Sequence, residues 1–169
     1  DVLYMASWAP VVLGLLMIPV VFLLTRLLSE WKAGIIAAIF IAFISGEYFF
    51  RSSFGILDHH IAEVFFTTIF CLGYIWILRI SEEGKIDIRT PATWNSIVLP
   101  SIFTGLFLGA SLLVAPTCLL FVMILFIYLL LQYVWNAFKK KKSDYLVVTG
   151  IIISLCATGC LLLIGAPSP

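Results

Sequence analysis

Charged residues are scarce in this sequence. Asp, Glu, Lys and Arg make up 11% of its 169 residues, whereas 63% are hydrophobic, and the mean hydropathy is +1.16. Such a composition excludes an ordinary soluble domain and indicates a multi-spanning membrane protein. The sequence also lacks a nucleic-acid-binding signature, and its net charge of +1 gives no reason to expect a nucleic-acid partner.

Cysteines are few as well, and all four lie inside apolar runs: Cys71, Cys118, Cys156 and Cys160. Cys156 and Cys160 are one helical turn apart, but no other type of metal ligand lies near them in the sequence. This pattern excludes a disulfide framework and a cysteine-based metal site. We interpret the four side chains as small buried apolar groups.

Long apolar runs are the dominant feature of the chain. A membrane-spanning helix needs about 20 apolar residues at ~1.5 Å each, and no ten-residue alternation typical of a membrane β-barrel is present. The sequence therefore predicts an all-α polytopic transmembrane bundle, with residues 1–169 forming a single membrane domain. The six predicted spans are roughly 8–28, 34–50, 61–80, 97–114, 117–138 and 146–166.

The basic residues are divided unequally between the two ends of these spans. If the spans alternate in direction, nine fall at one end and Arg51 alone falls at the other. The positive-inside rule then predicts that the nine are cytoplasmic and that Arg51 is extracytoplasmic. The nine are Arg26, Lys32, Arg79, Lys85, Arg89 and the run Lys139–Lys142. We interpret that run as an anchor against anionic membrane lipid.

Ionisable residues crowd into one short segment between the second and third predicted spans. Within seventeen positions lie Glu47, Arg51, Asp58, His59, His60 and Glu63. Ionisable groups at a membrane boundary are costly and usually persist because they are functional. An acid, two imidazoles and an arginine together indicate a metal ion beside an anionic ligand.

A cation shared by Asp58 and His60 requires a particular backbone conformation. In an extended segment, residues i and i+2 point to the same side, so Asp58 and His60 would meet and His59 would turn away. Carboxylate oxygens favour Mg²⁺ or Mn²⁺, and an imidazole moves the preference towards Mn²⁺ or Zn²⁺. Two ligands do not complete a site, so others must come from elsewhere in the parent chain or from substrate.

Arg51 gives this segment a side chain that can bind an anion. Its guanidinium is always charged, and its planar fork suits phosphate or carboxylate. A metal ion and an arginine acting together can stabilise a phosphate leaving group. The segment therefore favours chemistry on a phosphate.

Several of these residues also have a purely structural interpretation. Asp58 can cap the third span and favour its helix dipole. Glu63 can interact with the same dipole or support a metal ligand. His59 can be an interfacial histidine, and Glu47 can pair with Arg51 one turn later. Their joint density in one segment favours a functional site over four separate structural roles.

These residues resemble the catalytic subunit of oligosaccharyltransferase, particularly its archaeal members, the dolichyl-phosphooligosaccharide–protein glycotransferases. The resemblance extends over most of the chain, through Trp8–Gly14, Arg51-x6-Asp58-x-His60 with Ile61-Ala-Glu63, and Gly105–Gly109 to Pro116. The family's second acidic motif lies in an external loop and is commonly Asp-x-Asp, with Asp-x-His in archaeal versions.

The resemblance implies roles for the residues of the loop. Asp58 and His60 match the acidic motif, which implies that both bind a catalytic Mn²⁺ or Mg²⁺ ion and that Asp58 is catalytic. Arg51 matches an active-site arginine of the family, which implies a catalytic and substrate-binding role. His59, Glu63 and Glu47 would support these groups from the surrounding positions.

The resemblance also implies a reaction and its partners. An oligosaccharide would pass from a dolichyl phosphate or pyrophosphate carrier to Asn in Asn-x-Ser/Thr of an acceptor polypeptide. The six spans would be helices two to seven of about thirteen, surrounded by membrane lipid. The family's first acidic motif, a later glutamate and the soluble C-terminal domain have no match here. We therefore expect a fragment that is inactive without the rest of its parent chain.

Three alternatives to this function stay open from the sequence. Another glycosyltransferase that uses polyprenyl-phosphate sugars would share the external acidic loop. A cation transporter would instead place ionisable groups near the midplane on broken helices, and the loop position counts against it. A non-catalytic membrane scaffold is the third alternative.

Overall fold

A computed structural model of the protein describes residues 2–56, 58–82, 91–139 and 143–164. All regular structure in these ranges is helical, which confirms the predicted all-α class. Five of the helices are long and apolar enough to cross a membrane. The elements are α1 (Val2–Leu28), α2 (Trp31–Phe43), α3 (Glu47–Arg51), α4 (His59–Glu82), α5 (Pro91–Val114), a 3-10 turn (Pro116–Cys118), α6 (Leu119–Phe138) and α7 (Asp144–Ile164).

The second predicted span is interrupted, so the single helix expected over 34–50 is wrong. Helix α2 has 13 residues, which at ~1.5 Å each gives about 20 Å, shorter than the ~30 Å apolar core of a bilayer. Ile44 is extended, and Gly46 has φ 95° and ψ −144°. Only glycine adopts that backbone conformation readily. The apolar run continues past the end of α2 into Ile44, so hydropathy alone does not locate that end.

The helices form a row in which α4 and α5 are central. Helix α1 packs against α2 and α4, α4 packs against α5, and α5 packs against α7. A small buried cluster joins α1 to α4 through Met17, Phe65 and Ile69. A larger cluster joins α4 to α7 and consists of Phe70, Tyr74, Ile77, Leu108, Leu125, Ile153 and Ala157. The two clusters hold α4, which begins at the ionisable segment, from both sides.

Glycines allow α5 and α7 to approach closely. A Cβ atom on Gly105 would lie 2.8 Å from the carbonyl oxygen of Ile153, and one on Gly109 would lie 2.6 Å from the Cβ of Cys160. Both distances are too short for a side chain to fit without displacement of the neighbouring helix. The spacing of four residues is the small-xxx-small pattern of close helix pairs in membranes.

Contacts between the helix ends show which segments share an end of the bundle. The N–H of Gly55 donates to the carbonyl of Ser7 at 3.3 Å, which joins the 46–58 segment to the start of α1. At the opposite end, Nε of Arg79 donates to the carbonyl of Leu27 at 2.8 Å. We call the first of these the site end and the second the basic end.

The described basic residues follow this division. Arg51 lies at the site end, whereas the basic end carries Arg26, Lys32, Arg79 and Lys139. Lys85, Arg89 and residues 140–142, which complete the predicted cytoplasmic group, lie outside the described residues. The alternation of helix direction that underlies the charge argument is therefore observed wherever the structure describes it. The side of the membrane on which each end lies stays a prediction.

Candidate functional site at the start of α4

Asp58 is the residue that starts α4. Its Oδ1 atom accepts a hydrogen bond of 3.2 Å from the backbone N–H of His60, the second residue of the helix. This is the bond expected of an N-cap, because the first N–H groups of a helix have no partner inside it. The predicted capping role of Asp58 is confirmed, and it leaves the other carboxylate oxygen free for a second interaction.

Arg51 provides that second interaction. Its Nη1 atom pairs with Oδ2 of Asp58, and its Nε atom donates to Oε2 of Glu47 at 2.8 Å, one turn earlier on α3. The predicted pairing of Glu47 with Arg51 is thus confirmed. The hydrogen bond to Glu47, followed by the negative charge of Asp58, raises the pKa of Arg51 and keeps the guanidinium charged.

These contacts also determine the charge on Asp58. Partial burial by itself raises the pKa of this carboxyl group. The hydrogen bond from the His60 N–H and the positive charge of Arg51 outweigh that effect, so the pKa of Asp58 lies below its ordinary value of 3.8. Asp58 is therefore ionised at neutral pH, as a ligand for a cation must be.

Both imidazoles approach the carboxylate of Asp58. Nδ1 of His59 lies 3.5 Å from Oδ1, Nε2 of His60 lies 4.0 Å from the same oxygen, and the ring centroids are 4.2 Å apart. The expectation of an extended segment with His59 turned away is wrong. The cap formed by Asp58 starts the helix at His59, so both histidines occupy the first turn and face the same oxygen.

The three consecutive side chains form a group that could hold a metal ion. One ligand atom from each of Asp58, His59 and His60 lies within 4.8 Å of the others. One oxygen and two imidazole nitrogens suit Mn²⁺ or Zn²⁺ better than Mg²⁺, which favours an all-oxygen shell. A cation of this kind takes four to six donors, so it would need further ligands beyond these three.

Glu63 lies beside the group and holds one of its rings. Oε2 of Glu63 is 3.0 Å from Nδ1 of His60, and Oε1 accepts a hydrogen bond of 2.7 Å from Oγ1 of Thr117. Sequence reasoning identified Glu63 as a supporting group but missed Thr117. The only sequence signal was that Thr117 follows the corner between α5 and α6, which the alternation of spans places at the site end.

The segment before Asp58 is attached to α1. The hydroxyl of Tyr48 donates to the carbonyl of Gly14 at 2.9 Å, and the ring of Phe54 packs edge-on against Trp8 with centroids 5.1 Å apart. A Cβ atom on Gly14 would lie 2.7 Å from the Cβ of Ser52, so glycine permits this approach. The Trp8–Gly14 segment therefore positions the backbone that carries Arg51.

Comparisons with known proteins identify the family of the chain. Residues 2–167 match the family described as "Oligosaccharyl transferase STT3, N-terminal". A dolichyl-phosphooligosaccharide-protein glycotransferase 3 from Archaeoglobus fulgidus is 33% identical over 155 residues, which cover 88% of this chain and 17% of that protein. The chain thus spans about a sixth of the relative's length. No solved structure shows a significant match.

The family match extends over nearly the whole chain, and the described helices include five that can cross a membrane. The suspected resemblance is confirmed at the level of the family, whose members are glycosyltransferases by description. This chain is an integral multi-pass membrane protein that belongs to the STT3 family of oligosaccharyl transferases, within its N-terminal region.

Proposed function

We propose that this chain forms part of the catalytic membrane domain of a metal-dependent oligosaccharyltransferase. The reaction transfers a glycan from a dolichyl phosphate or pyrophosphate carrier to the Asn side chain of Asn-x-Ser/Thr in a polypeptide. The observation that carries this proposal is the group of Asp58, His59 and His60 in contact with Arg51. Family membership and the name of the archaeal relative, which includes both the donor and a protein acceptor, support it.

The carboxylate of Asp58 has two separate faces in this proposal. Oδ2 is held by Arg51, whereas Oδ1 faces both imidazoles. Asp58 and His60 would hold a divalent cation, with His59 beside them. A bound Mn²⁺ or Mg²⁺ supplies Lewis-acid stabilisation of the negative charge that develops on the departing phosphate.

Arg51 binds the phosphate of the lipid-linked donor. A guanidinium has five N–H donors, and the described side chains occupy two of them, at Glu47 and Asp58. The remaining donors can reach phosphate oxygens, and the fixed fork orients them. The salt bridges to Glu47 and Asp58 hold the guanidinium in place before substrate arrives, which limits the ordering cost of binding.

The surroundings of Arg51 suit a lipid-linked substrate. Phe49 and Phe50 precede it on α3, and their side chains are 66% and 60% exposed. Apolar side chains next to a phosphate-binding arginine can contact a polyprenyl chain while its headgroup meets the cation. The loop also lies at an end of the bundle, where a polypeptide in water can reach it.

The position of the Asp58 group at the end of the bundle also helps to distinguish the alternative functions. A cation transporter would place its ionisable groups near the middle of the membrane, whereas the group at Asp58 lies at the start of α4. Another transferase that uses polyprenyl-phosphate sugars would share every feature described here. The nature of the acceptor separates that enzyme from an oligosaccharyltransferase.

A transfer assay tests the proposal. Membranes that contain the protein expressed from the complete reading frame receive a lipid-linked oligosaccharide, Mn²⁺ and a labelled Asn-x-Thr peptide. We expect glycopeptide from the wild type and none after Asp58→Asn or chelation. Glu30→Gln is the matched control, because Glu30 is exposed at the basic end and its side chain makes no capping bond.

Three outcomes would count against the proposal. No glycopeptide from the wild type with intact donor would favour another lipid-sugar transferase or a scaffold. Unchanged activity of Asp58→Asn would show that the loop with Asp58 has no part in the reaction. Equal losses in Asp58→Asn and Glu30→Gln would indicate a general effect of charge removal.

A further inference from the structure

We propose that Glu63 and Thr117 are positioning residues that hold His60 ready to bind the divalent cation. The inference rests on the proposed metal-dependent function and goes beyond it, because it assigns the corner between α5 and α6 a part in assembling the site. Neither residue touches substrate or cation in this proposal. Both act through the orientation of the His60 ring.

The first observation is the contact between Glu63 and the far nitrogen of His60. Nδ1 of His60 lies 3.0 Å from Oε2 of Glu63, and Nε2 lies on the side of Asp58. An ionised carboxylate can only accept a hydrogen bond, so Nδ1 carries the proton. In the neutral ring, the form that can bind a metal ion, the lone pair is then on Nε2, on the side of Asp58. Metal-binding histidines commonly have such a carboxylate on the nitrogen that does not bind the metal.

The second observation is the hydrogen bond that holds Glu63. Oγ1 of Thr117 donates to Oε1 at 2.7 Å, so the two carboxylate oxygens have different partners. A glutamate that merely favours the helix dipole can occupy several rotamers. Here one oxygen is directed to the 3-10 turn before α6 and the other to His60, which leaves a single orientation that satisfies both contacts.

The third observation is that the residues around Thr117 are well anchored. Pro116 starts the 3-10 turn with its ring-fixed φ angle, and the flanking Ala115 and Cys118 are 3% and 0% exposed. The side chain of Glu63 is itself only 19% exposed. Thr117 itself is exposed, and its hydroxyl is presented from a turn that these buried neighbours anchor.

These contacts couple two elements that are distant in sequence. Thr117 lies 54 positions from Glu63, and it occupies the turn between the fifth and sixth helices. A shift of this corner would release Glu63 and allow the His60 ring to rotate. The affinity of the site for a cation therefore depends on the packing of the α5–α6 corner against α4.

The test measures Mn²⁺ affinity directly, by electron paramagnetic resonance of free Mn²⁺, in the purified full-length protein. We expect Glu63→Ala to weaken binding about 10–100-fold, the range found when such partners are removed. Thr117→Val, which keeps the shape of threonine without its hydroxyl, should weaken it in the same direction. Thr117→Ser, which keeps the hydroxyl, should restore affinity.

Two controls separate positioning from general damage. Thr68→Val removes a hydroxyl that bonds to the carbonyl of Val64 in its own helix at 2.6 Å, and it should leave Mn²⁺ affinity unchanged. Asp58→Ala should abolish binding and thereby identify the site being measured. Recovery with Thr117→Ser is the readout that a purely structural role of the corner would not produce.

The results distinguish failure of this inference from failure of the proposed function. If Mn²⁺ binds and depends on Asp58 and His60 but not on Glu63 or Thr117, the positioning roles are wrong and the metal site stands. Equal affinities for Thr117→Val and Thr117→Ser would also overturn the role of the hydroxyl. If the wild type binds no Mn²⁺ that depends on Asp58, both the metal site and the positioning roles fall.

Discussion

Asp58 serves several neighbours through two oxygen atoms. Oδ1 caps α4 and faces the imidazoles, while Oδ2 pairs with Arg51. A structural cap and a functional carboxylate are therefore the same group, and only a substitution that keeps one role can separate them. Asparagine is as good an N-cap as aspartate but carries no charge, whereas alanine removes both properties.

The capping role leads to a prediction about stability. With chelator present and at neutral pH, we expect Asp58→Ala to lower the unfolding temperature more than Asp58→Asn, because only the alanine leaves the N–H groups of α4 without their cap. Thermal unfolding in detergent, followed by circular dichroism, measures the difference. Equal unfolding temperatures for the two variants would show that the cap does not matter, and a shared decrease from the wild type would then be due to the ion pair with Arg51.

The lowered pKa of Asp58 leads to a prediction about pH. A carboxyl group whose pKa is lower in the folded state stabilises the fold fully above its unfolded pKa, and the contribution disappears as the pH falls through the folded value. The ordinary value is 3.8. We expect the difference in unfolding temperature between wild type and Asp58→Asn to be constant above about pH 5 and to shrink at lower pH. A constant difference down to pH 2 would contradict the lowered pKa.

The two histidines differ in how firmly they are held. His60 is fixed by Glu63, whereas the side chain of His59 is 58% exposed. We expect His60→Ala to weaken Mn²⁺ binding by at least the roughly 10–100-fold that loss of a supporting partner causes, and His59→Ala to weaken it less. Metal titration of the full-length protein measures both. Equal losses of Mn²⁺ affinity would show that His59 contributes as much to metal binding as His60.

At the scale of single elements, a helix boundary could be predicted from the sequence where a capping side chain forms it. A boundary that depends on backbone conformation was missed. The start of α4 could be read from Asp58, because a capping side chain is a local feature of the sequence. The end of α2 could not be read from composition, since the run from Ile35 to Phe43 continues into Ile44 without a polar residue. The signal was Gly46, whose positive φ angle permits the break.

Close packing of α5 on α7 gives a prediction at the same scale. We expect Gly105→Ala to destabilise the protein by about 1–3 kcal/mol, the usual effect of an additional methyl group in a packed interior. The new Cβ would lie 2.8 Å from the Ile153 carbonyl oxygen. Unfolding in a graded denaturing detergent measures the change.

Gly159 is the matched control for this substitution. It lies on α7, and a Cβ atom added there has no described atom within 4 Å. Gly159→Ala should be neutral or slightly stabilising, because alanine is the better helix former. A similar loss of stability in both variants would contradict the tight α5–α7 contact.

At the scale of the whole molecule, the fold class and the direction of the helices were accessible from sequence, but the contacts between helices were not. Apolar length and the positions of basic residues are properties of each span separately. The hydrogen bond from Thr117 to Glu63 depends on how α4, α5 and α6 pack together, and no pattern near either residue encodes that arrangement. The attachment of the Arg51 segment to α1 through Tyr48 and Gly14 depends on tertiary packing in the same way.

The orientation of the bundle in the membrane gives the last prediction. Arg51 lies at the site end and the four described basic residues at the other, so the positive-inside rule predicts that the site end is extracytoplasmic. An oligosaccharyl transfer to polypeptides that have crossed the membrane requires the same orientation. A cysteine at position 53 should therefore react from outside intact cells with a membrane-impermeant maleimide.

Ser53→Cys and Ser29→Cys form the matched pair, because Ser53 lies at the site end and Ser29 lies just after α1 at the basic end. Ser29→Cys should be labelled only after permeabilisation, and the wild type measures the contribution of the four native cysteines. The reverse pattern would place the basic end outside. The Asp58 group would then face the cytoplasm, where it could not act on translocated polypeptide, and the proposed acceptor would be wrong even if the metal site were correct.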